Sequence, residues 1–353
     1  MLTRRTFVTA AAATAALGSA ARAADPVKVA WVYIGPIGDH GWTYAHDQGR
    51  LDVEKAFGDK VVTTYVENVA EGPDAERVIR RLAADGNALI FTTSFGYMNP
   101  TLKVAQRTPD TFFEHATGYK THGNMSAYNS RFYEGRAVCG TIAGHMSESG
   151  IGGYIASFPI PEVVMGINAF QLAAQKVNPD FQTRVIWVNT WYDPAKEADA
   201  AKALIDQGVD IITQHTDSPA ALQAAEQRGL MAFGQAWDME SFAPNAHLTA
   251  IKDNWGPYYV DRVQAVIDGT WASQSTWWGM KEGAVEITPY NERVPADVVA
   301  AAEAVKAQIL ENTNSVFAGP LTDVDGTVRV AEGEMMDDGA LLTMDWYVAG
   351  VQS

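Results

Sequence analysis

The sequence predicts an α/β protein built as two doubly wound parallel-sheet lobes. Apolar runs of strand length alternate with segments of helical character, which is how parallel sheets covered by helices on both faces read. The alternation starts at residue 27 and restarts near residue 131, so two sheets are expected rather than one. The chain is 353 residues long and 47% hydrophobic, enough for a sizeable core and more than a single domain normally holds.

Each element has its own signal. "VKVAWVYI" (27–34) is a continuous apolar run, as in a strand buried on both faces. A helix follows in which Ala45, Gly49, Val53 and Phe57 recur every fourth residue, with two small members that let it lie close to a sheet. Strands are expected over 61–67, 88–94 and 111–116, with helical segments at 74–86 and 101–110 between them. The second run reads as helix 131–146, strand 150–156, helix 162–177, strand 183–189, helix 194–208, strand 209–215, helix 218–229 and strand 230–236. No low-complexity linker separates the runs, so the lobes are expected to exchange chain. Residues 247–269 are read as returning to the first lobe, and 276–287 as crossing back. The expected division is 24–128 with 246–275 for the first lobe, and 129–245 with 276–353 for the second.

The N-terminus, "MLTRRTFVTAAAATAALGSAARA", reads as an export signal over residues 1–23, with Arg4 and Arg5 ahead of an alanine-rich run and Ala21-Arg22-Ala23 as an A-x-A cleavage site. The arginine pair points to the twin-arginine route, with an ordinary secretory signal as the alternative. Export to the periplasm is the expectation. Cys139 is the single cysteine, so neither an internal disulfide nor a lipidated cysteine after the cleavage site is expected. The formal net charge is −16, and the signal carries three basic residues and no acidic one. An acidic chain of this kind repels nucleic acid and anionic membranes, and no run after the signal approaches the roughly 18 residues that span a bilayer.

In open parallel sheets, ligands sit outside the carboxyl ends of the strands. Seven loops qualify: "GPIGDHGWTY" (35–44), "TTSFGYM" (92–98), "SFPIP" (157–161), "NTWYD" (189–193), "QHTDS" (214–218), "QAWDM" (235–239) and "KDNW" (252–255). Aromatic and aspartate residues recur in them. Trp31 and Trp187 lie within strands and read as core. For Trp42, Trp191 and Trp255, stacking on a ligand and packing remain equally open. The first loop has the glycines of a phosphate cradle but no basic residue, and Asp39 would repel phosphate. His40 and His46 are six apart and do not share a helix face, which disfavours a metal site. Ser94 follows a buried strand and could be a hydrolase nucleophile with Asp217 or Asp238 and His247, but the first glycine of G-x-S-x-G is missing. A flat neutral heterocycle suits these loops better. Trp42 and Trp191 offer faces, Asp39 and Asp238 accept from ring N–H groups, and Lys252 donates.

Further motifs bear a family likeness. Asp39, Trp42 and Gly49 are in register with an Asp-x-x-Phe-Asn…Glu-Gly loop, and "YNSRFYEGRAVCGTIAG" (128–144) with an aromatic-x-x-Glu-Gly…Ala-Gly helix. "NTWYDPAKEADAA" (189–201), "TAIKDNWGPYYVDRVQAVIDG" (249–269), "FAGPLTDVDG" (317–326) and "LLTMDWYVAGV" (341–351) complete the pattern. The chain resembles the basic-membrane-protein family, substrate-binding proteins of ABC importers that take purine nucleosides or bases. The resemblance implies the type I periplasmic binding fold, with two lobes joined by three crossovers and a ligand clamped between them. It implies that Trp42 and Trp191 sandwich the base and that Asp39, Asp238 and Lys252 make polar contacts. Thr43, Phe95, Tyr128, Phe158 and Thr216 complete the candidate ligand-binding set. It also implies an ABC permease and ATPase as partners for a monomeric protein that needs no cofactor or metal and is not an enzyme. Thr43 stands where relatives carry asparagine, "QHTDSP" replaces a Gly-Thr-Gly loop, and Ala236 replaces the first aspartate of an Asp-x-Asp pair. These departures leave base against nucleoside open, with a free purine such as adenine preferred. A sugar or amino-acid binder on the same fold is the alternative, although an amino acid would want an arginine that these loops lack.

Overall fold

The computed structural model describes residues 25–353. The expected export signal lies outside the described residues. The first sheet begins with β1 (Val27–Val32), β2 (Val61–Val66), β3 (Leu89–Thr92), β4 (Phe112–Ala116) and β5 (Met125–Ser130). Between them run α1 (Gly41–Phe57), α2 (Pro73–Ala84) and α3 (Met98–Ala105). After α4 (Phe132–Met146) the second sheet is built from β6 (Ile151–Ala156), β7 (Gln182–Trp187), β8 (Ile211–His215), β9 (Met231–Gly234) and β10 (His247–Asp253). Its connections are α5 (Pro161–Val177), α6 (Pro194–Asp206) and α7 (Ala220–Gln227). The chain then runs through α8 (Gly256–Ile267), β11 (Ser275–Trp278), β12 (Val285–Ile287) and α9 (Ala296–Glu311). The tail adds a ribbon of β13 (Leu321–Thr322) and β14 (Val328–Val330), then α10 (Asp338–Leu341) and β15 (Val351–Gln352).

The first sheet has the order β11-β5-β4-β3-β1-β2 and is parallel throughout. The second has the order β12-β10-β9-β8-β6-β7-β15 and is parallel except where β12 runs against β10. Both are covered by helices on two faces, which explains the unbroken apolar strands.

One expectation is corrected here. Residues 247–253 do not return to the first sheet. As β10 they pair with β9 and β12 in the second sheet, buried at six of seven positions, so the burial of this strand is satisfied where its predecessor lies. The chain crosses after β10, and α8 returns to pack on α1. There Gly49 leaves room for the Tyr259 ring, which a Cβ would approach to 2.8 Å. The second crossing back also comes later than expected, since Thr276–Trp278 belong to β11, beside β5. Three crossovers result, near 131, 254–255 and 279–284.

The crossovers are tied together. The Arg131 backbone N–H donates to the Trp278 carbonyl at 2.7 Å, and its guanidinium lies 4.0 Å over the Trp277 ring. The same guanidinium donates twice to Asp338 of α10, at 2.9 and 2.6 Å. Glu134 accepts from the Met280 N–H at 2.6 Å.

Helix α4 is buried on every side up to Gly144, with Glu134 and Arg136 among its buried residues, because it is enclosed by the second sheet, α5 and α9. Its contact with α5 depends on glycine: a Cβ at Gly140 would meet the Phe170 backbone carbonyl, and one at Gly144 would lie 2.6 Å from the Ala174 carbonyl. Backbone cannot give way as a side-chain tip can. Gly140→Ala is therefore expected to destabilise the protein by about 2–4 kcal/mol despite the better helix propensity of alanine. Chemical denaturation would check this; an unchanged midpoint would refute the close contact.

Candidate functional site

The carboxyl ends of the two sheets face each other across a small cavity with about 30 Å³ of water-accessible space. From the first lobe it is lined by Trp42 at the start of α1 and by Ser94 and Phe95 after β3. From the second come Glu162, Trp191, His215, Thr216, Asp217 and Gln235. The strand-end rule selected five of these loops. Glu162 lies one residue past "SFPIP", in the first turn of α5.

The first-lobe wall is rigid. The Trp42 indole N–H donates to the Thr93 carbonyl at 2.6 Å. Its ring meets His46, Trp255 and Phe132 edge-on, with centroids 4.3, 5.5 and 5.9 Å away. These contacts fix the indole from behind and leave it half-buried at the cavity. Trp191, from the opposite lobe, packs on Phe158 at 5.1 Å, and its indole N–H donates to Glu71 at 3.3 Å across the cleft. Glu71 also accepts from Ser94 Oγ at 2.6 Å and the Gly96 N–H at 3.0 Å. Ser94 thus donates to a carboxylate, and no imidazole contacts its hydroxyl among the described residues.

The second-lobe wall carries the polar groups. His215 is buried, and burial lowers its pKa, leaving the imidazole neutral. Its Nε2 lies 3.4 Å from Glu162 Oε1, while its Nδ1 has no partner among the described residues. Thr216 Oγ1 is likewise buried and unpartnered among them. Asp217 accepts the Trp42 backbone N–H at 2.9 Å. Burial pushes its carboxyl up to about 8; the Trp42 N–H opposes this rise and nearby Glu197 adds to it. Behind this wall Arg136, fully buried, donates to Thr213 Oγ1 at 2.9 Å, to the Gln214 carbonyl at 2.6 Å and to Gln235 Oε1. Asp253 at the end of β10 is fully buried, with both carboxyl oxygens unpartnered among the described residues. Burial holds its carboxyl well above the usual range, Arg136 pulls it down, and Asp217 and Glu162 push it further up. Unpaired buried polar atoms carry a cost. Those of His215 and Thr216 belong to residues lining the cavity, where a ligand could satisfy them.

Of the ten residues expected to bind, Trp42, Phe95, Trp191 and Thr216 line the cavity, and Phe158 supports Trp191 beside it. The other five lie elsewhere. Asp39 precedes α1, is three-quarters exposed and pairs with His40 Nδ1 at 2.9 Å. Thr43 is buried one position further along α1, beside Gly35. Tyr128 is core: its hydroxyl meets that of Tyr259 at 2.8 Å and its ring stacks on Tyr258 at 4.6 Å. Asp238 is turned away because Ala236 adopts a left-handed φ of 61°; its carboxylate accepts from the Glu240 N–H and lies 3.7 Å from His247. Lys252 pairs with Glu286 at 2.9 Å on the adjacent strand and sits 4.8 Å over the Trp237 ring. His215, Glu162 and Gln235 were missed, and Asp217 entered only as a possible hydrolase partner of Ser94. His215, Asp217 and Gln235 stand in loops the strand-end rule had marked, where aromatic and aspartate content drew the choice elsewhere. No group of three or more metal-ligating side chains is assembled among the described residues, and no described helix is long and apolar enough to cross a membrane.

Known proteins give the site its context. The family described as ABC transporter substrate-binding protein PnrA-like matches residues 26–317. A Brucella abortus protein named purine-binding protein is 62% identical over 95% of each chain. A Haloferax volcanii protein, provisionally named ABC transporter glucose-binding protein, is 40% identical over 93% of this chain and 81% of its own. Among solved structures, an ABC transporter solute-binding protein of Aeropyrum pernix K1 superposes with a TM-score of 0.71 at 17% identity, covering 90% of this chain and 95% of that one. With its two facing parallel sheets, its interlobe cavity and the match over most of its length, the chain belongs to the PnrA-like family of ABC transporter substrate-binding proteins.

Proposed function

We propose that the chain is the periplasmic purine-binding component of an ABC importer, holding a free purine base such as adenine between Trp42 and Trp191. One observation carries this reading: two indoles, one from each lobe, line a single small cavity whose second-lobe wall presents unpartnered polar atoms. Stacking supplies about 1–3 kcal/mol per aromatic face. The Nδ1 of His215 accepts from a ring N–H, and the Thr216 hydroxyl donates or accepts. Micromolar affinity corresponds to about −8 kcal/mol, within reach of two faces and a few such bonds. The ligand drives hinge closure through its greater affinity for the closed form, and the closed protein is what the permease and ATPase receive. The protein acts as a monomer and performs no catalysis.

A sugar is the second reading. The name of the Haloferax relative favours it, and tryptophan faces also suit sugar rings. A thermal-shift panel of bases, nucleosides, sugars and amino acids separates the two. A purine is expected to raise the melting temperature, as any ligand specific to the native state does. Stabilisation by glucose with no response to any purine would overturn the proposal.

A further inference from the structure

Helix α1, which carries Trp42, begins without a cap of its own. The N-cap residue His40 makes no side-chain bond to it, and its first turn holds no acidic residue. Yet helix N-terminal N–H groups need acceptors. The acceptor comes from the other lobe: Asp217 Oδ1 takes the Trp42 N–H at 2.9 Å. The approach is close. Gly41 has φ +74°, and a Cβ there would lie 2.6 Å from the Asp217 carbonyl oxygen, so this backbone meeting requires glycine. On its other side, Asp217 donates its backbone N–H to the Trp191 carbonyl at 3.1 Å. Its loop is anchored by Glu197, which accepts from Ser218 N and Oγ at 3.0 and 2.7 Å. Next to it, Thr216 lines the same cavity with its buried hydroxyl unpartnered among the described residues.

We propose that Asp217 is the positioning residue that couples the two tryptophans, its side chain capping α1 from the opposite lobe while its backbone holds Trp191. The inference rests on the purine-clamp reading. It adds that the cap forms only when the lobes meet, so that seating the base and closing the cleft share one contact. Asparagine caps helices as well as aspartate does, whereas alanine does not.

The test compares Asp217→Ala, Asp217→Asn and wild type in adenine titrations, with hydrogen exchange read at the Trp42 amide. Asp217→Ala is expected to weaken binding on the order of tenfold, the usual worth of a cap. In that variant the Trp42 amide should exchange freely even at saturating adenine, while Asp217→Asn restores both affinity and protection. Equal melting temperatures without ligand would show that the fold is intact, as expected for a contact made between lobes. Wild-type affinity in Asp217→Ala, or a Trp42 amide protected equally in all three, would overturn the proposal. A wild-type chain that binds no purine would overturn the clamp reading and this inference with it.

Discussion

Trp42→Ala is expected to weaken purine binding roughly tenfold or more while the chain still folds. The ring is half-buried at the cavity, and its indole N–H is already satisfied by the Thr93 carbonyl. What truncation removes is a stacking face, worth about 1–3 kcal/mol. Its neighbours His46, Phe132 and Trp255 are held by other contacts, among them the 2.5 Å hydrogen bond between His46 Nδ1 and the Tyr259 hydroxyl and the stacking of His46 on Trp255 at 4.6 Å. Trp42→Phe should recover part of the affinity, since a planar face returns without the anchor to Thr93. Calorimetric titration gives the affinity and circular dichroism the fold. Unchanged binding in a folded Trp42→Ala protein would make Trp42 a packing residue only.

Arg136→Met is expected to cost about 3–5 kcal/mol of stability, the largest effect of any single change considered. Arg136 is fully buried at the end of the second sheet and bonds Thr213, the Gln214 carbonyl and Gln235. It is also the cation that offsets Asp253, whose carboxyl has no hydrogen-bond partner among the described residues. A methionine of similar length fills the space but leaves three buried acceptors, Thr213 Oγ1, the Gln214 carbonyl and Gln235 Oε1, without their donor. Gln235 would lose its orientation toward the cavity, so binding should weaken in whatever fraction folds. Equilibrium urea unfolding measures the loss; a change below about 1 kcal/mol would show that the guanidinium is dispensable.

Much of the fold was legible because parallel sheets buried on both faces leave unbroken apolar strands, as in residues 29–32 and 89–91. The allocation of residues 247–253 was less legible. Their pattern says that the strand is buried but not in which sheet, a choice made by pairing with β9 and β12 far off in sequence. The site was legible at the level of loops, through the strand-end rule. Within a loop, local backbone decides which side chain faces the cavity. Ala236 at φ 61° brings Gln235 in and turns Asp238 out, and no composition signal announces a left-handed alanine. Strand alternation likewise exposes Lys252 to Glu286 and buries Asp253. Asp217 was visible only as one aspartate among several until α1 was seen to lack its own cap.

The central claim is that a flat purine lies between the indoles of Trp42 and Trp191. A crystal structure of the protein grown with adenine tests it most directly. The account predicts ring density between the two indoles, parallel to at least one of them, with a ring nitrogen within hydrogen-bond distance of His215 Nδ1 or Thr216 Oγ1. Adenine density elsewhere on the protein, or an interlobe cavity that takes up glucose but no purine under the same conditions, would contradict it.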